Sequence, residues 1–469
     1  MTFYVTTAIP YVNAAPHLGH ALELVQADVL ARQRRARGQD VRFLTGTDDN
    51  ALKNVAAARN AGVPVRDFVA ANGDRFAALR GPLELSFDDF IRTSEARHTQ
   101  GVADLWKRSR NDFYRREYTG LYCAGCEQFL DTNTCAEHVT PPERVSEENW
   151  FFRLSRYQKR IRQVLEDGAV RIEPAARRNE VLAFVRAGLR DISVSRSAAR
   201  AEGWGISVPG DPDQVVYVWW DALANYVTAL DEEAYRRWWA GPSERVHVIG
   251  KGIVRFHAVY WLALLLSAGE PLPTAILVHD YLTVDGAKLS KSAGNSVDPV
   301  DLADRFGVDA LRWWLLRDVA TLGDTDFTVA RLVRRHDLDL ANGVGNLVKR
   351  TVSLAYRDGI RPTPHRSDLP QRVDQALDKG DFRAATEAIT DEVAHGNRLV
   401  ETKQPWKLTG PRRTAVVGEL LGRCQIIAAE LEPFLPSASR RLRNELALEG
   451  PPRPAFARLG AAGSLTPDR

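Results

Sequence analysis

Two short apolar runs and the helical pattern between them constrain the fold of this chain most strongly. A β-branched run at residues 3–9 precedes the segment HLGH at residues 17–20, and apolar residues at helical spacing then continue to Gly38. A second apolar run follows at residues 41–44. Strand, helix and strand in this order predict a right-handed crossover, and therefore an α/β fold built on a parallel sheet.

The two histidines of the HLGH segment suggest an anion site. His17 and His20 fall at the predicted N-terminus of the helix, where backbone N–H groups and the helix dipole favour negative charge. Taken alone, this motif is equally compatible with two buried core histidines. A second phosphate-binding feature is needed before a nucleotide site can be predicted.

A pair of lysines two-thirds along the chain supplies that second feature. The chain has 53 Arg and only ten Lys, yet Lys288 and Lys291 lie in one five-residue segment, KLSKS. Turn-forming residues flank the segment, which predicts a loop. Solvated surface charge is the alternative, but in a chain that prefers arginine, two compact ammonium groups favour contact with phosphate oxygens. Together the two motifs predict a site for the phosphates of ATP.

Length and composition exclude several classes of protein. A chain of 469 residues with 44% hydrophobic and 26% charged residues is typical of a water-soluble protein of two to four domains. The longest uncharged apolar run, residues 258–269, is too short to span a membrane. The first residues lack a basic segment, so no signal peptide is expected, and four cysteines argue against a disulfide scaffold. We expect a cytoplasmic protein.

Three of the four cysteines form a cluster with a histidine. Their spacing gives two paired turns of the CxxC kind, and two-residue spacers let ligands converge on a tetrahedral metal. Surface cysteines without a role, or a disulfide, are the alternatives. The pattern favours structural Zn²⁺, without a catalytic role. The predicted zinc ligands are Cys123, Cys126, Cys135 and His138.

The C-terminal third has a helical pattern and a mildly basic charge balance, which is compatible with RNA contact. Asn342, Asn346 and Arg350 stand at i, i+4 and i+8, which places them on one face of an α-helix. Their side chains are of the kind that hydrogen-bond base edges, and Trp406 could stack on a splayed base. An ordinary solvated helix face is the alternative.

Several stretches in this order resemble the methionyl-tRNA synthetases among the class I aminoacyl-tRNA synthetases. The resemblance covers nearly the whole chain and implies a Rossmann-like parallel-sheet catalytic domain split by a zinc-knuckle insertion, followed by an all-α helical-bundle anticodon-binding domain. The implied boundaries are 1–113 and 214–326 for the two catalytic halves, 114–213 for the connective insertion and 327–469 for the bundle. The matching stretches are AIPYVN at residues 8–13 running into HLGH, TGTD at 45–48, RNEV at 178–181, VWWDA at 218–222, RFH at 255–257 and KLSKS at 288–292.

The same resemblance implies the reaction and the residues that serve it. The reaction is ATP-dependent activation of methionine, with Mg²⁺ accompanying the ATP, and transfer of the methionyl group to tRNA(Met). The residues implied in the phosphate chemistry are His17, His20, Lys288 and Lys291. Those implied in reading the anticodon CAU are Asn342, Asn346, Arg350 and Trp406. The other implied ATP-binding residues are Gly19, Gly250 and Ser290. The implied amino-acid pocket consists of Ile9, Tyr11, Asp48, Trp219, Ala222, Tyr226, Ile253 and His257.

Within this pocket Asp48 would hold the ammonium group of the amino acid, whereas Asp49 is expected in a solvated turn. No further RNA-binding or dimerising domain is expected after the bundle, so a monomer is predicted.

Two departures from the family pattern leave rival functions open. The family usually has His-Gly where this chain has Asn50-Ala51, and usually has an aspartate in place of Gly252. A carboxylate at the latter position would accept hydrogen bonds from the ribose of ATP, and its loss costs about 1.5–3 kcal/mol. One rival is an adenylate-forming relative with a different acceptor, such as a small amine. The other is a catalytically weak tRNA-binding paralogue.

Overall fold

The computed structural model describes residues 2–123, 128–130, 132–135, 141–288 and 297–460. The chain forms two compact units. Unit 1 comprises Met1–Pro16, Gln39–Ala78 and Phe87–His279, and unit 2 comprises His17–Gly38, Leu79–Ser86 and Asp280–Arg469. Of the helices described, none combines the length and the apolar composition needed to cross a bilayer.

Strands and helices are numbered along the chain. The strands are β1 Thr2–Thr7, β2 Asp40–Thr47, β3 Asp89–Arg92, β4 Phe113–Cys123, β5 Gln128–Leu130, β6 Glu143–Phe152, β7 Arg171–Glu173, β8 Ile192–Ser193, β9 Ser195–Ser197, β10 Ser207–Val208, β11 Asp211–Val216, β12 Ser243–Gly250, β13 Ala275–His279, β14 Leu282–Val284, β15 Ala287–Lys288 and β16 Thr325–Asp326. The α-helices are α1 Leu18–Ala36, α2 Leu52–Ala61, α3 Val65–Ala78, α4 Ala96–Arg108, α5 Gln158–Glu166, α6 Ala175–Arg186, α7 Val218–Leu223, α8 Asn225–Thr228, α9 Glu232–Ala234, α10 Leu262–Ala268, α11 Pro299–Phe306, α12 Val308–Arg317, α13 Val329–Arg335, α14 Asn346–Asp358, α15 Leu369–Leu377, α16 Phe382–Lys403, α17 Gly410–Glu430 and α18 Pro436–Leu446.

A six-stranded sheet organises unit 1. Its strand order is β3-β2-β1-β12-β13-β7, and every neighbouring pair is parallel. The inner strands β1, β12 and β13 are almost continuously buried, as expected of a parallel sheet. At Gly46 in β2 a Cβ would come within 2.0 Å of the carbonyl oxygen of Ile91, so only glycine fits against β3 there. The predicted parallel α/β fold is confirmed.

The segment between β4 and β11 forms smaller antiparallel sheets within unit 1. One has the strand order β5-β4-β6-β8, with the long strands β4 and β6 paired along nearly their whole length, and the other has the order β10-β11-β9. β7 lies within the segment predicted as the insertion, yet it pairs with β13 at the edge of the parallel sheet. The insertion therefore contributes a strand to the main sheet, and its boundaries at 114 and 213 stay predictions.

Unit 2 contains the C-terminal helices, the short strands β14–β16 and the helix α1. From Val329 onward its described elements are helical, which confirms the predicted all-α bundle. A fully buried ion pair fixes α1 within this unit, because Arg312 Nη2 of α12 lies 2.8 Å from Asp28 Oδ2 of α1. Arg312 also donates to the carbonyls of Leu83, Pro433 and Phe434.

Candidate active site and RNA-binding face

The first turn of α1 fixes the hydrogen positions of both HLGH histidines. His17 is the N-cap, and its Nδ1 accepts a hydrogen bond from Gly19 N at 3.1 Å, while His20 Nδ1 accepts one from His17 N at 3.1 Å. A neutral imidazole with one accepting nitrogen carries its hydrogen on the other. Both Nε2 atoms are therefore N–H donors, the form that suits phosphate oxygens.

Gly19 is required for this arrangement. A Cβ at this position would lie 2.9 Å from His17 Cε1, so a side chain would displace the capping ring. The two imidazole rings stack with their centroids 3.8 Å apart. The HLGH motif thus forms a compact pair of donors at the N-terminus of a 19-residue helix, where the dipole adds positive potential.

The lysine segment begins in a hairpin of unit 2. β14 and β15 pair antiparallel across Asp285 and Gly286, both of which have positive φ, and the hairpin places Lys288 opposite Thr283. Asp326 Oδ1 secures the turn by accepting from Thr283 Oγ1 at 2.9 Å and Gly286 N at 3.0 Å. Ser290 and Lys291 lie outside the described residues, and only the backbone of Lys288 is placed.

One hydrogen bond joins the HLGH helix to the chain that follows the KLSKS segment. Leu18 N, in the first turn of α1, donates to the carbonyl oxygen of Val297 at 2.9 Å. Val297 lies five residues after the KLSKS segment ends. Val297 therefore lies beside the first turn of the HLGH helix.

The predicted amino-acid pocket lies at the carboxyl ends of parallel strands of unit 1. Ile9 follows β1, Asp48 follows β2, and Gly250 ends β12. Tyr11 and Asp48 form an isolated parallel bridge, and Asp48 N donates to the carbonyl of Pro10 at 2.9 Å. This is the edge at which open α/β sheets bind ligands.

Aromatic rings form one wall of this region. Trp219 stacks on Phe256 with ring centroids 3.7 Å apart and meets Tyr11 edge-on at 6.3 Å. Ala222 is buried one helical turn after Trp219, in α7. The sequence reasoning assigned no role to Phe256, although it lies in the matching RFH stretch beside His257. Its stacking on Trp219 places it beside the predicted pocket.

A buried hydrogen-bond chain brings together the other pocket residues. His257 Nδ1 lies 3.0 Å from the carbonyl of Ile253, which only accepts, so this nitrogen carries the hydrogen. His257 Nε2 then accepts from the hydroxyl of Tyr226 at 2.7 Å. Burial lowers the pKa of His257 to about 4, and the hydrogen bond to Ile253 only partly opposes this shift. His257 is therefore neutral at neutral pH.

A polar network that the sequence reasoning missed lies beside Asp48. Asp221 is buried and its two carboxylate oxygens have separate partners: His98 Nε2 at 2.5 Å from Oδ1, and Asn50 Nδ2 at 2.7 Å from Oδ2. The backbone N–H of Asn50 also donates to Asp48 Oδ1 at 3.1 Å. Asn50, which replaces the usual histidine of the family, thus connects the two carboxylates.

The expectation of a solvated turn at Asp49 is wrong. This side chain is fully buried and accepts hydrogen bonds from Thr47 Oγ1 at 2.9 Å and Ser94 Oγ at 2.6 Å. Burial raises the pKa of Asp49 above its ordinary value, and these two hydrogen bonds offset part of the rise. The error arises because the hydroxyl of Ser94 comes from beyond β3, 45 residues away along the chain.

The four predicted base-reading residues lie in unit 2 on accessible surface. Asn342 and Asn346 are exposed, Arg350 is partly exposed, and 45% of Trp406 is accessible. The guanidinium of Arg350 lies 5.6 Å from the centroid of the Trp406 ring. The prediction that Asn342, Asn346 and Arg350 share one face of a regular α-helix is only partly observed. Asn342 lies in a π-helical segment, His336–Gly345, that precedes α14.

The cysteine cluster is described only in part. Cys123 is buried at the end of β4 and Cys135 is half-buried, whereas Cys126 and His138 lie outside the described residues. Cys424, the cysteine outside the cluster, is fully buried in α17. Burial raises the pKa of the Cys424 thiol to about 12.

Comparisons with known proteins agree with this fold and identify the family. The family model of the class I tRNA synthetases (M) matches residues 3–138 and 133–352. A methionine–tRNA ligase of Caldanaerobacter subterraneus subsp. tengcongensis is 38% identical, over 95% of this chain and 74% of the relative. A methionine–tRNA ligase of Mycobacterium bovis is 39% identical, over 99% of this chain and 95% of the relative.

The solved structures give the same result. The crystal structure of the Mycobacterium tuberculosis methionyl-tRNA synthetase bound by methionyl-adenylate has a TM-score of 0.89 and 38% sequence identity. The similarity covers 98% of this chain and 97% of that one. The parallel sheet, the HLGH helix and these matches define a class I aminoacyl-tRNA synthetase, and within that class the chain belongs to the methionyl-tRNA synthetase family.

Proposed function

We propose that the protein activates methionine with ATP to form methionyl-adenylate and transfers the methionyl group to the terminal ribose of tRNA(Met). The hydrogen bond from Leu18 N to the carbonyl of Val297 is the observation that carries this proposal. It supports a single phosphate site served by both HLGH and KLSKS. Relatives named methionine–tRNA ligase and a relative solved with methionyl-adenylate support the choice of amino acid and intermediate.

The first step places negative charge on phosphate oxygens. The methionine carboxylate attacks the α-phosphorus of ATP, and pyrophosphate leaves. The Nε2–H groups of His17 and His20 donate to phosphate oxygens as charge moves to the leaving group. Lys288 and Lys291 supply point charges to the same oxygens, and such preorganised donors stabilise developing charge strongly. Gly19, Gly250 and Ser290 complete the proposed ATP site, and Mg²⁺ accompanies the ATP.

Methionine recognition combines one carboxylate with an apolar wall. Asp48 pairs with the ammonium group, and Asn50 N–H helps to hold the carboxylate in place. The stacked rings of Trp219 and Phe256 and the edge of Tyr11 suit a polarizable thioether. Neutral His257 and Tyr226 form the buried chain behind the pocket, so their polar atoms are already paired. The remaining proposed pocket residues are Ile9, Ala222 and Ile253.

The cysteine cluster fits structural zinc. Three thiols and one imidazole are a donor set that tetrahedral Zn²⁺ prefers. Cys123 is buried at the end of β4, a position compatible with a structural metal ligand. Bound zinc would contribute folding energy to the insertion, with no part in the reaction. Metal analysis of purified protein should find about one zinc per chain. Cys135→Ser should lower this ratio, whereas Cys424→Ala should not.

For the RNA substrate, Asn342, Asn346, Arg350 and Trp406 read the anticodon CAU. A monomeric state and a cytoplasmic location accompany this proposal as predictions. The exposure of Trp406 and the amide and guanidinium groups near it are compatible with stacking and base-edge hydrogen bonds.

Methionine-dependent ATP–pyrophosphate exchange, run beside aminoacylation of tRNA(Met), tests the function. Exchange with methionine alone among the amino acids, together with charging of CAU transcripts, is the expected result. Exchange without charging would favour the rival that uses a different acceptor. Absence of exchange with every amino acid, from folded protein that still binds tRNA, would favour the weak paralogue.

A further inference from the structure

The C-terminal segment of the chain folds back onto the base-reading helix. In this segment, residues 453–460, the backbone N–H groups of Leu459 and Gly460 donate to the carboxylate of Asp337 at 2.8 and 3.0 Å. Phe456 is buried and meets His336 edge-on, with ring centroids 6.1 Å apart. These contacts fix the segment against the π-helical turn that also carries Asn342.

Arg458 of this segment binds Asn342 directly. Its Nε and Nη2 both donate to Asn342 Oδ1, at 2.9 and 2.6 Å. A guanidinium has five donors and no acceptor, so the amide must turn its oxygen toward Arg458. Within residues 297–460, no protein group accepts a hydrogen bond from Asn342 Nδ2.

We propose that Arg458 is a positioning residue for anticodon recognition, which fixes Asn342 as a pure hydrogen-bond donor toward the RNA. This inference rests on the proposed anticodon-reading function. A freely rotating asparagine can offer either its oxygen or its nitrogen to a base and therefore accepts several base edges. An amide whose oxygen is already engaged selects bases that present acceptors, such as O2 and N3 of cytosine, over uracil, whose N3 carries a hydrogen.

The partner of Asn342 comes from a distant part of the chain. The wider turn of His336–Gly345 interrupts the α-helical register at Asn342. The side-chain oxygen of Asn342 is held by Arg458 rather than by a residue of its own helix. Arg458 arrives from 116 residues further along the chain, on a segment fixed by Phe456 and by the contacts to Asp337.

Aminoacylation of transcripts with CAU and with each anticodon base replaced tests this proposal. Arg458→Leu should lower kcat/KM for the CAU transcript about fivefold, mainly through KM, the effect of losing one modest hydrogen bond. It should also reduce the discrimination against replacement at one anticodon position. Methionine-dependent ATP–pyrophosphate exchange without tRNA should stay unchanged, which shows that the variant is folded. Arg458→Lys keeps the charge and one donor, and should recover part of the loss.

Two controls distinguish a positioning role of Arg458 from a general effect of its charge and from a steric block of the RNA-binding face. Arg453→Leu removes the same charge from an exposed position of the same segment and should leave discrimination intact. In an Asn342→Ala background, Arg458→Leu should have no further effect. An equal loss in that background, an equal loss with Arg453→Leu, or a gain in kcat/KM with Arg458→Leu would each overturn the proposal. If Asn342→Ala itself leaves charging unchanged, the proposed anticodon role of Asn342 fails and this inference fails with it.

Discussion

Asn50 donates a hydrogen bond from its side-chain Nδ2 to Asp221 Oδ2 at 2.7 Å, across 171 residues of the chain. The same side chain also donates to the carbonyl of Thr93 at 3.1 Å. One of the residues that depart from the family pattern is therefore a structural partner of a buried carboxylate. Asn50 provides a polar donor to Asp221 at this position.

Removal of this donor should destabilise unit 1. Asn50→Ala leaves one oxygen of the buried Asp221 carboxylate without its partner, which should lower the free energy of unfolding by about 2 kcal/mol. Asn50→His supplies a ring N–H donor and should cost less. Denaturant unfolding measures both, with Asn60→Ala on the exposed face of α2 as the control. Equal losses for Asn50→Ala and Asn60→Ala would contradict a structural role for this hydrogen bond.

The proposed role of Lys291 in adenylate formation leads to a kinetic prediction. Lys291→Ala should lower the rate of adenylate formation about a hundredfold, because one preorganised charge aimed at the transition state is lost. Methionine affinity should change little, since the amino acid is held by other residues. Rapid-quench measurement of adenylate formation beside methionine binding tests the separation, and the exposed Lys159→Ala is the control. An unchanged rate would remove Lys291 from the proposed mechanism.

Local patterns predicted the elements that local physics determines. The apolar runs at β1 and β2 and the N-cap at His17 depend on residues within one turn or one strand, so the sequence is sufficient for them. The polar network around Asp221 was missed because its members meet only in the folded chain, and His98 lies 123 residues from Asp221. No sequence spacing identifies such a contact.

The predicted base-reading residues of unit 2 show a second limit of prediction from sequence spacing. Spacing of i, i+4 and i+8 predicts a shared face only if the turn has 3.6 residues, and the π-helical segment His336–Gly345 breaks this condition at Asn342. The contact between Arg458 and Asn342 also lay beyond the pattern. Gly343 and Gly345 flank Val344 within the segment, and their low helix propensity was the available signal that the register could change.

The depressed pKa of His257 predicts a loss of stability in acid. The folded protein holds this ring neutral with a pKa of about 4, whereas the unfolded chain has the ordinary value of 6.5. The unfolded state therefore binds the proton first, and stability present above pH 6.5 is lost as the pH falls toward 4. The expected loss from this group is roughly 3 kcal/mol.

Urea unfolding of wild type and His257→Gln between pH 7 and pH 4.5 measures this contribution. The variant should be less stable at pH 7 but should lose less stability on acidification. His395→Gln changes an exposed histidine and should leave the wild-type pH dependence intact. Parallel curves for wild type and His257→Gln would show that His257 does not titrate as proposed.

The buried pair of Asp28 and Arg312 should be the most sensitive point of unit 2. Neither side chain is exposed, and Asp28 also accepts hydrogen bonds from Ser86 N at 2.7 Å and Ser86 Oγ at 2.6 Å. Arg312→Met removes one of the two cations that contact the buried Asp28 carboxylate, since Arg32 Nε also lies 2.8 Å from Asp28 Oδ2. It also leaves three buried carbonyls without this donor, so we expect a loss of about 2–4 kcal/mol. Arg305→Met, in an exposed i,i+4 pair with Asp301, should cost less than 1 kcal/mol. His17 caps α1 and His20 lies in its first turn, so loosening the Asp28–Arg312 pair should also raise KM for ATP. A normal KM in a destabilised Arg312→Met variant would limit the pair to a structural role.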